Sequence, residues 1–183
     1  MEVTTPIENE AIALPEEASK KRKSFPRGAR LPRRDEFEQV VLDIRRVTRV
    51  VAGGRRFSFS AAVAVGDRKG RVGIGVGKGA DTALAIQKAV RLAKRNLITV
   101  PLTKSHSIAR AEESKFCASR VILRPVPGRG LVAGSVVRSV LDVAGVRDVS
   151  AKVVSRSKNK INNARAVYEA LRMLGVGETP TGE

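Results

Sequence analysis

The sequence predicts an α+β protein built from two α/β two-layer domains, the first in the order β-β-β-α and the second in the order β-β-α-β-α. Short runs with apolar residues at every second position precede longer stretches with apolar residues three and four apart, and this order occurs twice. The two series meet at Val100-Pro101. We therefore divide the chain into a tail of residues 1–34, domains at residues 35–100 and 101–176, and a frayed end at residues 177–183.

Three strands are expected at the start of the first domain. The first lies near Leu42–Val51, and the second alternates from Phe57 to Val65, which predicts a strand buried on one face. In the third, from Val72 to Val76, glycine fills the alternate positions and leaves one face almost bare. We expect that bare face to let a bulky polyanion approach the backbone.

The helix of the first domain is expected to begin at Asp81, a residue type that caps helix N-termini. Its buried face is predicted to hold Ala83, Ile86, Val90, Ala93 and Leu97. A second stripe is basic and consists of Lys88, Arg91 and Arg95, with Lys94 adjacent. Because no acidic residue follows Asp81 in this helix, intrahelical ion pairs do not explain the stripe. It is either a solvated face or a phosphate-binding face.

The second domain is expected to open with two extended runs, Ser105–Glu112 and Phe116–Arg124, followed by a loop rich in Pro and Gly. A helix ending at Gly145 then places four residues inward, namely Val137, Val140, Leu141 and Ala144. A strand at Asp148–Ser155 follows. The inner face of the last helix is predicted to hold Ile161, Ala164, Val167, Leu171 and Leu174.

The charge balance indicates a phosphate-bearing partner. The chain carries 35 Lys and Arg against 18 Asp and Glu, for a formal charge of +17 and a pI near 11.2. Residues 35–100 and residues 101–183 each carry a net charge of +7, so we expect the contact to be distributed. Residues 1–34 carry five Glu and then eight basic residues. They predict a tail that is disordered alone and either orders on RNA or keeps the protein soluble.

The cysteine content and the lack of long apolar runs exclude several classes of protein. The single cysteine, Cys117, excludes an internal disulfide and a cysteine zinc site. No apolar run reaches the roughly 18–20 residues that span a membrane, and the acidic start resembles no targeting signal. We expect a soluble, cytoplasmic protein with no membrane partner.

The glycine-rich segments do not match nucleotide-binding motifs. Counting back from Gly77-Lys78 puts Val72 where a P-loop needs its first glycine, and Gly79 stands where it needs Ser or Thr. The loop Pro127–Ser135 has no acidic cluster nearby for magnesium, so we expect it to pack closely against its own sheet or another protein. We predict no cofactor and no metal.

Catalytic groups are scarce. His106 is the only histidine and falls in a predicted extended segment, and Cys117 is expected to be a core thiol in a strand. Glu112 and Glu113 are consecutive, so they point to opposite faces of a strand and do not form a carboxylate pair. We predict that the protein is not an enzyme. Aromatic residues are also few, and Phe57 and Phe59, which share one strand face, are expected in the core. This favours RNA recognition by backbone and shape.

Several segments together resemble a known family. They are VTRVVAGGRRFSFSA from Val47, GDRKGRVGIGVGK from Gly66, AIQKA from Ala85, GLVAG from Gly130 and VVRSVLDVAGV from Val136. In this order they are similar to the bacterial-type small-subunit ribosomal protein S-five family, and the similarity covers about Phe37 to Leu174.

The resemblance implies a first domain like a double-stranded RNA-binding domain, without its full first helix. It implies a left-handed β-α-β crossover in the second domain, an exception to the usual right-handed rule. The partners it implies are small-subunit ribosomal RNA, small-subunit proteins four and eight, and messenger RNA near the channel through which it enters the subunit. Positions matching Gly130 and Arg138 would lie toward protein four, at a boundary that influences translational accuracy.

We expect the RNA contacts to come from basic residues and from the glycines of the loop between the first two strands. These positions are Arg45, Arg49, Gly53, Gly54, Arg55, Arg56, Arg68, Lys69, Arg71, Lys78, Lys88, Arg91, Lys94 and Arg95. Two other functions remain open from the residues alone. One is a free-standing regulator that binds double-stranded RNA, and the other is a nucleotide-dependent kinase with a site at Gly128–Ser135.

Overall fold

The computed structural model describes residues 36–176, so the two predicted tails lie outside the described residues. The described residues belong to one compact unit, and the boundary predicted at residue 100 stays a prediction. The elements in chain order are β1 (Glu38–Val51), β2 (Gly54–Gly66), β3 (Arg71–Gly79), α1 (Thr82–Arg95), β4 (Leu97–Thr99), β5 (Glu112–Phe116), β6 (Ser119–Pro125), α2 (Ser135–Ala144), β7 (Val149–Val153) and α3 (Lys160–Val176).

The strands form two antiparallel sheets. The first has the order β1-β2-β3-β4 and the second the order β5-β6-β7. This confirms the predicted α+β class with its two small sheets and three helices. The short strand β4 was not predicted, because its three residues directly follow α1 and give no alternating pattern of their own.

The elements stack in four layers. Helix α1 covers one face of the first sheet, and α2 and α3 lie between the other face and the second sheet. Strand β2 is therefore buried on both faces: Val63 and Val65 pack toward α1, whereas Ala62 and Ala64 join the larger core. The prediction of a strand buried on one face was wrong, because the second half of the chain covers the face that a single domain would leave open.

The bare glycine face of β3 is filled by α1. A β-carbon at Gly73, Gly75 or Gly77 would overlap carbonyl oxygens of the helix backbone. The helix meets these glycines with Ala85, Ala89 and Ala93, all fully buried. The expectation that this face admits a polyanion was therefore wrong, because the missing side chains allow a helix to approach the strand.

The buried face of α1 also differs from the predicted one. The helix begins as expected, since the Asp81 carboxylate accepts a hydrogen bond of 2.6 Å from the backbone N–H of Thr82. Ala83 is exposed and Leu97 lies beyond the helix in β4, while Ile86 and Val90 are only partly buried. Small residues four apart fill this interface because larger ones would hold the helix away from the glycines.

The second half differs from prediction at its start. The run Ser105–Glu112 is not a strand, because Thr103 and Ser107 close a turn through three hydrogen bonds and the chain becomes extended only at Glu112. His106 lies in this turn with φ 56° rather than in an extended segment. The other predicted elements form, and the inward residues predicted for α2 are all buried.

Helix α2 lies between β6 and β7, and the direction of their pairing tests whether they form the predicted β-α-β crossover. Strands β6 and β7 are antiparallel, so they are not the parallel pair that a β-α-β unit requires. A parallel bridge instead joins Val132, before α2, to Ser150 in β7. A crossover through α2 would therefore run from the segment around Val132, and its hand stays a prediction.

The turn between β2 and β3 joins the two halves of the chain. Its Arg68 and Gly70 N–H groups donate to the carbonyl oxygens of Val143 and Ala144, at 3.0 and 2.9 Å. Gly145 ends α2 with φ 84°, and a β-carbon there would overlap the carbonyl group of Arg68. The end of α2 thus receives the turn by direct backbone contact.

Candidate nucleic-acid interface

The longest exposed feature of residues 36–176 is the outer part of the β1–β2 hairpin, residues 45–60, which we term the hairpin arm. None of its residues is buried, and Val50 at its tip is 75% exposed. Strand pairing continues to Val51 opposite Gly54, so Ala52 and Gly53 form the whole loop. Gly54 has φ 140°, a backbone conformation that side chains rarely adopt. The arm carries five arginines and no acidic residue.

Pairing of β1 with β2 determines which arginines share a face of the arm. Arg49 lies directly opposite Arg56, on the same face as Arg45. Arg46 and Arg55 lie on the other face. Like charges directly opposite each other destabilise a strand pair, so Arg49 and Arg56 gain from an external anion. Neither they nor Arg55 have an ion pair among residues 36–176.

The second face of the arm carries an exposed aromatic ring. Phe57 is 48% exposed, and the Arg46 guanidinium carbon lies 4.6 Å from its ring centroid. The placement of Phe57 in the core was therefore wrong, because the strand extends beyond the body at this point. Arg46 was missed as a site residue, although its place among the other arginines of β1 was a usable signal.

The base of the arm is tied to the body. Arg45 pairs with Asp43 at 2.5 Å, and Lys160 from α3 lies 3.5 Å from the same carboxylate. Lys78 is in register with Ser60, which is paired in turn with Arg45, so all three lie on one face. Lys78 is exposed and extends the basic face from the arm onto β3.

Three predicted RNA-binding residues lie at the opposite end of β2, two in the turn before β3 and one at the first residue of β3. Arg68 pairs with Glu38 at 2.5 Å, and Arg71 donates to Asp67 at 2.6 Å. Lys69 is exposed, and its backbone N–H donates to the Asp67 carboxylate. The two arginine side chains thus have partners within the chain, whereas those at the tip of the arm have none among the described residues.

The Asp67 carboxylate organises this turn. It is only 4% exposed and accepts hydrogen bonds from the backbone N–H groups of Lys69 and Arg71 as well as from the Arg71 guanidinium. Burial by itself raises the pKa of this carboxyl, but the hydrogen bonds from Arg71 and Lys69 outweigh it and hold the pKa below its usual value of 3.8. The charged form therefore stabilises the fold.

The predicted basic stripe on α1 faces outward. Lys88, Arg91 and Arg95 are exposed, and the structure shows no partner for them among residues 36–176. Lys94 is partly buried, with its ammonium 5.8 Å from the Phe37 ring centroid, and Arg71 lies 5.0 Å from the same ring. The C-terminal part of the stripe therefore lies near the β2–β3 turn rather than near the arm.

The predicted residues thus lie on two separate basic surfaces. The arm surface comprises Arg49, Arg55, Arg56 and Lys78, together with Arg46 and the partly engaged Arg45. The helix surface comprises the α1 stripe. In the nearby β2–β3 turn Lys69 is exposed, while Arg68 and Arg71 are held by carboxylates. A polyanion that contacts both surfaces would follow the length of β2, from the tip of the hairpin to the turn before β3.

The predicted protein-contact positions lie around the start of α2. Gly130 has φ 72°, and its N–H donates to the Asp148 carboxylate at 3.1 Å. Arg138 is exposed and shows no ion pair within the described region. A β-carbon at Gly128, Gly130 or Gly134 would meet no atom within 4 Å, so packing against the protein's own sheet does not explain these glycines.

The groups considered for catalysis are dispersed. Cys117 is exposed in the turn between β5 and β6 with φ 50°, so its placement in the core was wrong. Glu112 pairs with Arg110, and Glu113 pairs with Arg120. Between residues 36 and 176, no three His, Cys, Asp or Glu side chains lie together to hold a metal ion. No helix in that range is long and apolar enough to span a membrane.

Fold and surface together define a basic α+β protein with two small sheets, suited to binding a polyanion. Comparison with known families identifies it further. The family description "Ribosomal protein S5, N-terminal domain" matches residues 37–101, and "Ribosomal protein S5, C-terminal domain" matches residues 114–176. The chain therefore belongs to the ribosomal protein S5 family, a family of structural ribosomal components rather than enzymes.

Individual relatives agree with this assignment. Small ribosomal subunit protein uS5 of Thermosynechococcus vestitus is 47% identical over 154 residues, which cover 84% of this chain and 87% of the relative. The uS5 protein of Thermus thermophilus is 49% identical over 140 residues, or 76% of this chain and 85% of the relative. The uS5c protein of Spinacia oleracea is 48% identical over 142 residues, and the chain spans 46% of its length.

Proposed function

We propose that this protein is a structural constituent of the small ribosomal subunit in the cytoplasm, where it binds small-subunit ribosomal RNA through backbone and shape contacts. The observation that carries this proposal is the hairpin arm, with five arginines and no acidic residue. Phosphates neutralise such side chains with release of counterions, and phosphate contacts position a protein on RNA.

The geometry favours recognition of an RNA backbone over recognition of bases. Phe57 is the one large aromatic ring exposed on the arm, whereas base-stacking platforms use several such rings. The arm and the α1 stripe instead present guanidinium and ammonium groups along the length of β2. This arrangement fits a folded RNA whose phosphates are spaced along a helix.

The first experiment measures how the affinity of the full chain for small-subunit ribosomal RNA depends on salt. We expect Arg55→Ala with Arg56→Ala to weaken binding and to reduce the slope of log K against log salt by up to about two. Lys104→Ala with Arg147→Ala is the matched control pair, because both residues are exposed and lack ion pairs in the described part of the chain. Equal slopes for the two double variants would contradict the proposal.

The alternative of a free-standing regulator is separated by sedimentation. A structural constituent comigrates with small subunits and polysomes on a sucrose gradient and remains there at moderate salt. A regulator that binds double-stranded RNA would remain mainly in the light fractions. It would also bind isolated RNA duplexes as tightly as ribosomal RNA.

We also propose that the start of α2 contacts small-subunit protein four, that protein eight is a second neighbour, and that messenger RNA passes close to the protein. The exposed Arg138 supports the first contact, since it would pair with a carboxylate of the neighbour. Arg138→Glu should then raise misreading of near-cognate codons, measured with reporter genes. Unchanged misreading in ribosomes that contain the variant would refute this role.

A further inference from the structure

Within residues 36–176, other elements cover one face of the second sheet and leave its other face uncovered. Ser114, Val121, Leu123, Val149 and Ala151 are buried on the covered face, which packs against α3 and shares one hydrophobic core with α2. The alternating residues point the other way, and none of them is buried. These residues, which we term the outer face, are Glu113, Lys115, Arg120, Ile122, Arg124, Ser150 and Lys152.

The outer face is basic, with four cationic side chains against one carboxylate. Glu113 pairs with Arg120, whereas Lys115, Arg124 and Lys152 have no ion pair among residues 36–176. Lys115 lies directly opposite Arg120 in the strand register. This placement of like charges reduces the stability of the sheet unless an anion lies nearby.

A shallow groove of about 250 Å³ crosses this face between β6 and β7. Ile122, Arg124, Ser150 and Lys152 line it. Arg124 lies opposite Ser150, and Ile122 lies opposite Lys152. These two rows are about 6.7 Å apart along the strands. The groove thus has a cation at each of two diagonal corners, with a hydroxyl group and an apolar side chain at the other two.

We propose that the outer face binds the sugar–phosphate backbone of RNA as a third basic surface of the protein. Arg124 and Lys152 contact phosphates, the Ser150 hydroxyl donates to a phosphate or ribose oxygen, and Ile122 packs against a sugar. The three kinds of side chain correspond to the three parts of a backbone repeat: its charge, its polar oxygens and its carbon surface.

An acidic peptide fits this surface less well than RNA does. Extended peptides gain affinity by adding a strand to a sheet edge through main-chain hydrogen bonds. Here the charges lie on the face of the sheet, and β6 already pairs with a strand on each side. A peptide would therefore depend on its carboxylates alone, whereas RNA carries a phosphate at every nucleotide.

The RNA could be ribosomal or messenger, and two probes distinguish these sources. One is folded small-subunit ribosomal RNA, and the other is an unstructured uridine oligonucleotide that stands for a messenger strand. The full chain is titrated with each probe at several salt concentrations. We expect Arg124→Gln with Lys152→Gln to lower the slope of log K against log salt by up to about 1.4 for the single strand or up to about 1.8 for the folded RNA.

Two further variants separate the effect of the outer-face cations on RNA binding from the effects of unfolding and of a lower net charge. Exchange of the two cations, Arg124→Lys with Lys152→Arg, should leave the slope at its original value. The control pair in its glutamine form, Lys104→Gln with Arg147→Gln, removes the same charge from another exposed site and should leave a larger slope than the Arg124 and Lys152 variant. Thermal unfolding of each variant shows whether the fold is retained.

Each outcome decides the proposal. A reduced slope with either probe, restored by the exchange variant, supports it and identifies the source of the RNA. Slopes equal to those of the control pair with both probes overturn it. Binding of polyglutamate that is lost in the glutamine variant, with both RNA slopes unchanged, would make the outer face a protein-docking surface and would also overturn it. Neither result would affect the role of the hairpin arm, which is tested by Arg55 and Arg56.

Discussion

Two glycine-rich segments of this chain look alike in sequence and differ in structure. In Gly73–Gly79 a β-carbon on any of the four glycines would press against backbone atoms of α1 or of the turn that precedes it. In Gly128–Gly134 a β-carbon on any of the three glycines would meet no atom within 4 Å. The first segment therefore uses glycine to make room for a helix.

The second segment uses glycine for other reasons. Gly128 and Gly130 have φ 76° and 72°, so their backbone conformation favours glycine even though space is available. Gly134 has φ −66° and precedes α2 without a side-chain cap. Alternating glycines thus allow a helix to approach the backbone in one segment and a left-handed backbone conformation in the other. The spacing of the glycines alone does not distinguish these two roles.

The test of this contrast with the largest expected effect on stability replaces one glycine in each segment. Gly75→Ala should lower the free energy of unfolding by about 3 kcal/mol, because the added carbon overlaps the Ala89 carbonyl and the helix must move away. Gly134→Ala should lower it by only about 0.5 kcal/mol, because alanine is a poorer N-cap than glycine. Urea unfolding followed by circular dichroism measures both. Similar losses would mean that α1 does not pack tightly on β3.

A second test concerns the turn that leads into the first segment. Asp67→Asn should lower the free energy of unfolding by about 2 kcal/mol at neutral pH, because a buried charged acceptor of three hydrogen bonds is lost. The folded pKa of Asp67 lies below its unfolded value near 3.8, so its stabilisation is complete above about pH 5 and disappears as the pH falls through the folded pKa.

The pH dependence therefore serves as the control for Asp67. Wild type and Asp67→Asn should converge in stability as the pH is lowered below about 4, and they should differ by a constant amount between pH 6 and 8. A difference that grows toward acid would show that burial, rather than hydrogen bonding, dominates the carboxylate.

The test with the smallest expected effect on stability distinguishes backbone strain from steric overlap. Gly130→Ala should lower the free energy of unfolding by about 1 kcal/mol, because alanine is strained at φ 72° but meets no neighbouring atom. Gly130→Asn should recover part of this loss, since asparagine tolerates the left-handed region better than alanine. Equal stability of the two variants would mean that the loop changes conformation to accept either side chain.

Local patterns predicted most of the elements. The Asp81 cap, the end of α2 at Gly145 and the inward faces of α2 and α3 all follow from residues that act within a few positions of one another. The run Ser105–Glu112 was misassigned because its hydroxyl side chains close a turn with backbone groups, and alternation of residue types does not reveal such bonds.

The candidate site was predictable in part. Sequence alone indicated the arginines of the hairpin loop, and the structure shows that those at its tip have no partners among the described residues. The sequence did not show that Arg68 pairs with Glu38 and that Arg71 pairs with Asp67. These partners depend on strand register and on a buried turn, so a count of basic residues does not separate them from the arm.

The sequence by itself determined the α+β class, the order of most elements, the basic character and the family, because composition, periodicity and motifs are local properties. Only the tertiary structure decided what covers each face. The glycines of β3 receive α1, the second face of β2 is buried by the other half of the chain, and no element of the described residues covers the outer face of the second sheet. Burial of a face depends on residues distant in sequence, and a pattern within one strand contains no information about them.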